Sequence, residues 1–430
     1  MRHVHPARVA NTQGSGIGGM QSIKRLYTDH ILDKERQPDM LQETLINVVA
    51  SYVVQSYVGS YGAMTQPVAA CATGAVSLEE GMDKILAGRA DFVVAGGYDD
   101  IGDEGALGFA DMNATADSED MLAMGLEPRQ MSRANDSRRK GFVESHGGGT
   151  VLLTRADVAI ELGLPVLGVL AWAGSFGDGI HKSIPAPGMG ALASAMGGET
   201  SPLGRALSTW GLTADEIGIV YKHDTSTQAN DPNENNLHHQ IQEALGRTAG
   251  NPLWAVSQKT LTGHPKGGAA IWQLIGLCQC LEAGVIPGNR NLDNVDEAMR
   301  GYKHVAFTDE TLKVETTTLK AGLLTSLGFG HVGAIGMVVS PAAIYAQLGT
   351  DALEAYAEAQ HSRRQYSRAF WPEVWLGKRA AFTKRTDRRF VAGDGTNAQS
   401  KEESALLLNP EARLNGRGQF DAQVGGGMKS

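Results

Sequence analysis

Short aliphatic runs alternate with helix-like stretches and glycine-rich turns along the first 340 residues of this chain. One helical stretch carries apolar residues at helical spacing from Ala75 to Leu86 and stops at Gly88, and the aliphatic run from Phe92 to Ala95 follows it. Such alternation is typical of βαβ units, in which helices cover parallel strands. It predicts an α/β fold whose two βα-rich halves meet near residue 165. Further strands are predicted at 150–153, 165–170, 217–220 and 254–256, and a further helix at 269–281.

Composition and charge exclude several classes of protein. The chain has 430 residues, 42% of them hydrophobic, and a formal net charge of −9, which argues against general affinity for nucleic acid. Its three cysteines are too few and too badly spaced for a disulfide framework or a four-ligand zinc site. Neither a signal peptide nor an apolar run of the ~20 residues that cross a bilayer is found. We therefore expect a cytoplasmic protein without a membrane span.

The character of the sequence changes after about residue 345. Between residues 363 and 389, arginine and lysine outnumber the acidic residues and are interleaved with aromatic residues that include Phe382. Such a stretch is either a docking surface for an acidic partner or, as we favour, a solvated and partly helical appendage. The predicted divisions of the chain are residues 1–165, 166–345 and a basic, aromatic extension at 346–430.

A glycine-rich run, Gly14 to Gly19, fits the G-x-G-x-x-G pattern of dinucleotide-binding turns. That pattern also requires an acidic ribose partner roughly 20 residues further on, at the end of a second strand. The acid near that distance, Asp39, lies in a polar stretch that contains proline. We therefore interpret the run as a structural turn, and a nicotinamide oxidoreductase is a distant alternative.

Cys71 lies between a β run and the start of a helix. Free backbone N–H groups and the helix dipole at such a position stabilise a thiolate, although a lone cysteine is more often a small buried hydrophobe. Two histidines favour a catalytic role, because His223 closes one predicted strand and His264 follows the next. Catalytic groups of α/β sheets gather at such strand-to-loop junctions. The three residues predict a cysteine–histidine acyl-transfer site rather than a metal site.

Four blocks of this sequence resemble the signature blocks of β-ketoacyl synthases, in the same order and separation. The resemblance extends over roughly residues 5–420 and is closest to the condensing domain of type I fatty acid synthases. The short segment between Pro187 and Pro202 is similar to the bacterial rather than the fungal form. The four blocks are PVAACATG at 67–74, HDTST at 223–227, KTLTGHPKG at 259–267 and LGFG at 327–330.

The resemblance implies a thiolase-like fold, in which two similar halves, each with a mixed, mostly parallel sheet, form five layers, α-β-α-β-α. It implies a β-ketoacyl synthase, which condenses an acyl chain on Cys71 with a malonyl thioester, with loss of CO₂, to give a 3-ketoacyl thioester in fatty acid biosynthesis. His223 and His264 would hydrogen-bond the malonyl thioester carbonyl. Lys259 would hold the two histidines in place.

The resemblance also implies how substrates and partners bind. Phe329 would gate the acyl pocket and would supply, with Cys71, the backbone N–H groups of an oxyanion hole. Thr225 and Thr227 would bind the pantetheine arm. No tightly bound cofactor is implied, because the substrates are phosphopantetheine thioesters on acyl carrier protein or coenzyme A. The expected partners are the acyl carrier protein and other domains of a type I fatty acid synthase, and the expected assembly is a homodimer or higher homo-oligomer.

The sequence departs from the family pattern in several places. Asp224 stands where most relatives carry glycine, Gln273 stands where many carry glutamate, and the residues from His331 to Gly333 replace Gly-Thr-Asn. The chain also begins at a segment that matches the second strand of the family's first half. We therefore expect it to be the C-terminal piece of a longer multienzyme chain, without the first strand and helix of that half.

Two other functions are possible on the same fold. A catalytically silent partner would typically lack the nucleophile, whereas the cysteine, both histidines and the lysine are all present here. A polyketide or thiolase-like acyltransferase is the other alternative. A thiolase needs a second reactive cysteine late in the chain, whereas Cys278 and Cys280 lie in an apolar helical context that favours packing.

Overall fold

A computed structural model describes residues 4–54, 60–179 and 186–381 of the chain, together with the short strands at 413–414 and 420–421. The strands are β1 (Val9–Ser15), β2 (Phe92–Asp99), β3 (Gly147–Thr154), β4 (Val169–Gly177), β5 (Ile217–Tyr221), β6 (Leu253–Val256), β7 (Val285–Ile286), β8 (Val305–Ala306), β9 (Leu312–Lys313), β10 (Ala321–Gly328), β11 (Val332–Val339), β12 (Arg413–Leu414) and β13 (Phe420–Asp421). The helices are α1 (Met20–Ile31), α2 (Met40–Glu43), α3 (Ile46–Val53), α4 (Thr73–Leu86), α5 (Asp103–Asp111), α6 (Ser118–Ala123), α7 (Ala156–Glu161), α8 (Met189–Ala193), α9 (Pro202–Thr209), α10 (Asn230–Ala244), α11 (Lys259–Thr262), α12 (Ala269–Ala283), α13 (Ala342–Tyr345) and α14 (Thr350–Trp375).

Two mixed sheets form the body of the described part of the chain. The first has the order β1-β2-β3, with β1 parallel and β3 antiparallel to β2. The second has the order β4-β11-β10-β5-β6-β8, in which β11 runs antiparallel to both of its neighbours and the pairs from β10 to β8 are parallel. The predicted division at residue 165 lies between β3, the last strand of the first sheet, and β4.

Helices α4 and α12 lie between the two sheets. Helix α4 contacts β1 and β2 on one side and β4 on the other, and α12 contacts both β10 and β3. Close approach here requires glycine, because a Cβ on Gly97 of β2 would lie 2.0 Å from the carbonyl oxygen of Gly267. The predicted helices at these positions are confirmed, and they form the middle layer.

The outer faces of both sheets are covered by further helices. Alternate residues of β1 point to opposite faces, so that Asn11 contacts Ala50 of α3 while Thr12 bonds to Ser77 of α4. On the second sheet, apolar side chains of α8, α9 and α10 pack against the outer face of β5, for example Ile241 near Val220. The order is therefore α-β-α-β-α, as the thiolase-like fold requires.

One predicted strand is displaced. The aliphatic run at 165–170 predicts a strand that starts at Pro165, whereas β4 begins at Val169 and continues to Gly177. Proline has no N–H group to donate to a sheet ladder. Pairing with β11 extends the strand through Gly174, opposite Ile335, where local sequence carries no strand signal.

The glycine-rich run from Gly14 to Gly19 ends β1 and turns around a carboxylate of the same chain. The side chain of Asp99 accepts hydrogen bonds from Ser15 Oγ at 2.6 Å and from the backbone N–H groups of Gly16 and Ile17 at 3.0 to 3.1 Å. A fourth bond comes from Gly267 N at 2.7 Å. The anion-binding groups of this turn are thus already used, which supports the structural interpretation.

The C-terminal extension begins as a packed helix. On α14, Tyr356 is buried and donates a hydrogen bond to the carbonyl oxygen of Leu164 at 2.8 Å, and Arg363 bonds to Leu162. The far end is exposed, with Trp375 at 78%. Up to residue 381 the extension is therefore largely helical, as the prediction of a partly helical appendage has it, and only the exposed far end of α14 is solvated as predicted. Phe382 and the basic residues after it lie outside the described residues. No helix among the described residues is long and apolar enough to cross a membrane.

Candidate active site

Cys71 lies on a tight turn at the N-terminus of α4. The turn spans residues 70–72 as a short 3₁₀ helix, and Ala70 has a φ of 46°, in the left-handed region that side chains rarely adopt. Thr73 Oγ1 holds the turn, because it accepts from Ala69 N at 2.9 Å and donates to Ala70 O at 2.8 Å. Ser326 on β10 donates to the carbonyl oxygen of Cys71 at 2.8 Å. Both halves therefore hold the backbone that presents the thiol.

His264 is the direct partner of Cys71. Its Nε2 lies 3.0 Å from Sγ, and its backbone N–H bonds to Val143 O at 2.8 Å. The ring of Phe142 packs edge-on against the imidazole, with the centroids 5.2 Å apart. Burial, together with the positive charge of Lys259, holds the pKa of His264 well below its usual value. The imidazole is therefore neutral near pH 7 and can accept the thiol proton.

His223 lies beside His264 and forms a triad with Cys71 and His264. It follows β5, and its ring stands perpendicular to that of His264 with the centroids 5.3 Å apart. The ammonium of Lys259 lies 3.3 Å from Nδ1 of His223 and also bonds to the carbonyl oxygen of that residue. A donor at Nδ1 leaves the proton of the neutral imidazole on Nε2, which makes that nitrogen a hydrogen-bond donor.

Lys259 is buried rather than solvated. Only 3% of its surface is exposed, and this burial lowers its pKa to about 8, while the carboxylate of Glu234 opposes that shift. Burial and the charge of Lys259 together lower the pKa of His223 well below its usual value. The lysine thus acts on the site through His223.

The thiol of Cys71 is protonated at rest. Burial raises its pKa to about 11, although Lys259 acts in the opposite direction. The prediction that the helix N-terminus stabilises a thiolate is wrong for this resting state, because desolvation of the charged form is the larger effect. Cys71 and His264 therefore form a neutral pair, from which the thiolate arises as the proton moves to His264 Nε2.

This protonation state predicts a steep pH dependence for alkylation of Cys71. Because the thiolate is the nucleophile, the rate with a neutral alkylating reagent is expected to rise about tenfold per pH unit from pH 7 to pH 9. Peptide mass spectrometry after timed exposure to iodoacetamide measures this rate at Cys71 directly. A rate independent of pH over this range would contradict the neutral pair and would indicate a preformed thiolate.

A cavity of about 320 Å³ opens above the triad. Its apolar wall includes Phe109, Met112, Phe142 and Phe329, and the ring centroid of Phe109 lies 5.3 Å from that of Phe142 and 5.7 Å from that of Phe329. Phe109 and Met112 carry no motif signal in the sequence, because they lie on and just after α5, far along the chain from the catalytic blocks. They reach the cavity only through the packing of α5.

Thr225 and Thr227 line the same cavity. Their hydroxyl oxygens are 3.2 Å apart, and Thr227 also accepts from Asn230 N at 3.1 Å. The fold therefore brings every predicted site residue to one cavity or into contact with a side chain that lines it.

The structure accounts for Gln273, one of the departures from the family pattern. Its amide nitrogen donates to three buried carbonyl oxygens, those of Tyr221, Lys222 and Thr325, at 2.7 to 3.1 Å. A glutamate here would place an anion against three acceptors. In this chain a neutral donor at position 273 ties the end of β5 to β10.

Two groups of side chains in the described residues have metal-compatible geometry. They are Cys71 with His223 and His264, and His239 with Glu243 and His304. In the second group, Glu243 Oε1 lies 2.7 Å from His304 Nε2 and 3.2 Å from Lys303 Nζ. The ammonium of Lys303 thus already pairs with the carboxylate that a metal cation would need as a ligand. Hydrogen bonds and ion pairs account for the contacts of this group, and a site without metal stays a prediction.

Comparison with known proteins agrees with this geometry. Sequence profiles of the β-ketoacyl synthase N-terminal and C-terminal domains match residues 1–159 and 167–293. The chain belongs to the β-ketoacyl synthase family. The noncanonical ketosynthase FabY from P. aeruginosa superposes on 90% of this chain and 61% of its own, with a TM-score of 0.78 at 23% identity. That likeness supports the thiolase-like ketosynthase fold.

Curated relatives of this β-ketoacyl synthase family member include a fatty acid synthase and a fatty acid synthase alpha subunit. The chain is 43% identical over 414 residues to the fatty acid synthase alpha subunit stcJ of Emericella nidulans, and 37% identical over 418 residues to fatty acid synthase 2 of Mycosarcoma maydis. These matches cover 96% of the chain but 26% and 11% of the relatives' lengths. Both relatives are fungal, and the similarity to the bacterial form stays a prediction.

Proposed function

We propose that this chain catalyses the condensing step of fatty acid synthesis. An acyl chain on Cys71 would combine with a malonyl thioester, with loss of CO₂, to give a 3-ketoacyl thioester. The observation that carries the proposal is the 3.0 Å contact between Cys71 Sγ and His264 Nε2 beneath an apolar cavity that His223 also lines. A thiol, a neutral base and a second imidazole donor are the groups that the two half-reactions need.

In the first half-reaction, His264 Nε2 takes the proton from the thiol of Cys71 as Sγ attacks the acyl thioester carbonyl. The carbon–sulfur bond to the carrier breaks, and the imidazolium returns the proton to the leaving thiolate. Backbone N–H groups of Cys71 and Phe329 would bind the tetrahedral oxyanion. The support for this role is the placement of Phe329 on the turn after β10, at the cavity wall.

In the second half-reaction, the malonyl thioester loses CO₂ and its electron pair forms an enolate. The Nε2–H of His223 would bind the developing negative oxygen, and His264 would join it when its neutral ring carries the proton on Nε2. The enolate carbon then attacks the carbonyl of acyl-Cys71, the bond from that carbonyl to Sγ breaks, and the thiolate of Cys71 takes up one proton from water through His264. Lys259 supports this step as a positioning residue, because its contact with Nδ1 keeps the proton of His223 on Nε2.

The substrate arm and the acyl chain would both bind in the cavity above the triad. Thr225 and Thr227 offer two adjacent hydroxyls for the amides of phosphopantetheine, and the aromatic wall with Phe329 suits an aliphatic chain. The same proposal includes delivery of the substrate by acyl carrier protein, a cytoplasmic location and a homodimer. It also includes a role as one piece of a type I fatty acid synthase and the absence of a tightly bound cofactor.

The alternatives fit the site less well. A silent partner has no need for a thiol and a base at hydrogen-bond distance. A thiolase needs a second reactive cysteine at the site, but Cys280 lies 3.2 Å from the hydroxyl of Tyr221, in the core between the sheets. Neither Cys280 nor Cys278 lines the cavity that contains Cys71.

The test is a condensation assay with the full chain. Purified protein is incubated with a medium-chain acyl thioester and a malonyl thioester, and both CO₂ and the 3-ketoacyl product are quantified. We expect equal amounts of the two, because each condensation releases one CO₂. Acylation of Cys71 without any release of CO₂ would support a thiolase-like acyltransferase, and the absence of both would support a silent partner.

A further inference from the structure

The two residues on either side of His223 form a buried ion pair. Lys222 and Asp224 are fully buried, and Lys222 Nζ lies 2.6 Å from Asp224 Oδ1. The ammonium also lies 5.3 Å from the ring centroid of Phe307. A buried charge is costly unless it is paired, so each residue of the pair depends on the other. Nothing in the half-reactions above uses either charge.

Asp224 occupies a backbone position that suits glycine. Its φ is 28°, in the positive range that L side chains rarely adopt. The side chain compensates for this unfavourable backbone, because Oδ2 accepts a hydrogen bond from Asn135 Nδ2 at 2.8 Å and another from Ser257 Oγ. The carboxylate therefore holds the turn through two hydrogen bonds that glycine could not make.

Asn135 links the pair to the first half of the chain. Its Oδ1 accepts from Lys222 Nζ at 3.2 Å and from Asn235 Nδ2 at 2.9 Å. Its backbone N–H donates to Asp231 Oδ2 at 2.9 Å. We call Lys222, Asp224 and Asn135 the flanking node. It joins the segment before β3, the end of β5 and the start of α10.

The flanking node includes both chain neighbours of His223, so it holds the backbone from which the His223 ring extends. Glu234 holds the same backbone. The N–H groups of His223 and Asp224 donate to the two oxygens of Glu234, at 2.5 and 2.8 Å. Cys71 and His264 are carried by other segments, the turn before α4 and the loop after α11. Disturbance of the node is therefore expected to move His223 relative to a pair that stays in place.

We propose that Lys222 and Asp224 are positioning residues that act as a coupled pair to set His223 for decarboxylation of the malonyl thioester. This inference rests on the proposed function, in which His223 is needed for decarboxylation but does not contact the thiol. It predicts that loss of the pair slows decarboxylation selectively and leaves acyl transfer to Cys71 intact. A pair with a merely structural role would change both half-reactions together.

The test compares three variants of the full chain: Asp224→Asn, Lys222→Met and the double variant Lys222→Met/Asp224→Asn. Asparagine keeps the shape of the side chain and tolerates positive φ, but it removes the carboxylate that lies 2.6 Å from the buried ammonium. For each single variant we expect decarboxylation to fall roughly 100-fold, the scale of a small misplacement in an active site. Acylation of Cys71, followed by intact mass, is expected to stay at the wild-type rate.

The double variant tests the coupling. It removes both charges and keeps a side-chain oxygen that can accept from Asn135 and Ser257, so we expect it to regain at least about tenfold in decarboxylation over either single variant. Its melting temperature is expected to recover in parallel from a fall of roughly 5 °C in the single variants. The control is Lys320→Met, which breaks the exposed pair with Glu216 (3.0 Å) and is expected to change neither rate.

Failure of this inference and failure of the proposed function give different results. Equal losses in acylation and decarboxylation, or additive losses in the double variant, would overturn the positioning role while the wild-type protein still condensed. A wild-type protein that takes up an acyl group but never releases CO₂ from a malonyl thioester would overturn the proposed function, and this inference with it.

Discussion

Replacement of Cys71 by serine is expected to abolish the acyl-enzyme and to lower condensation at least about 1,000-fold. A serine hydroxyl ionises far less readily than a thiol, and the neutral imidazole of His264, whose pKa is held low by burial and by Lys259, is a weak base for it. Intact mass spectrometry after incubation with a medium-chain acyl thioester is the direct measurement. The wild-type protein should gain the mass of one acyl group, and the variant none.

The matched control for this experiment is Cys278→Ser. Cys278 lies on α12, outside the cavity, and burial raises the pKa of its thiol to about 12. The control should acylate as the wild-type protein does. An adduct that persists in the Cys71→Ser variant and disappears in Cys278→Ser would exclude Cys71 as the nucleophile.

Replacement of His223 by alanine is expected to separate the two half-reactions. Decarboxylation of the malonyl thioester should fall about 100-fold to 1,000-fold, the usual loss when one donor to a developing oxyanion is removed. Acylation of Cys71 should continue, because the base at 3.0 Å from Sγ is His264 and not His223. Release of CO₂ and the acyl adduct are measured on the same preparation, so that loss of folded protein would affect both.

Two further variants test whether the loss of decarboxylation comes from the missing donor of His223. His223→Gln places an amide donor near the position of Nε2 and is expected to recover part of the lost decarboxylation. His361→Ala, on the exposed face of α14, controls for removal of a histidine and should change nothing. If His223→Ala lost acylation as severely as decarboxylation, His223 would be needed for the thiol itself, and the division of roles between the histidines would be wrong.

The sequence predicted that Cys71, His223 and His264 belong to one site because their signals are local, and the structure brings the three side chains together. A cysteine before a helix start and a histidine at a strand end can be recognised without knowledge of what lies opposite them. The helices α4 and α12 were predicted for the same reason, since an apolar face with helical spacing specifies an element by itself. The strand at 165–170 failed because pairing with β11, and not local pattern, determines where β4 begins and ends.

The protonation states of the site could not be predicted from the sequence. The start of a helix suggests a thiolate at Cys71, but complete burial raises its pKa to about 11. Burial likewise lowers the pKa of Lys259 to about 8, and no local pattern in the sequence indicates that this lysine is buried. Desolvation depends on every segment that packs around a group, and those segments are distant in sequence.

Spacing along the chain and local chemistry were enough to predict the main helices and strands and to select Cys71, His223 and His264 as candidate site residues. Which atoms lie in contact depends on tertiary packing. His264 reaches Cys71 across 193 residues, Asn135 reaches Asp224 across 89, and Phe109 reaches the cavity through the packing of α5. These contacts form when the two sheets pack against the helices α4 and α12, and no local sequence pattern predicts that packing.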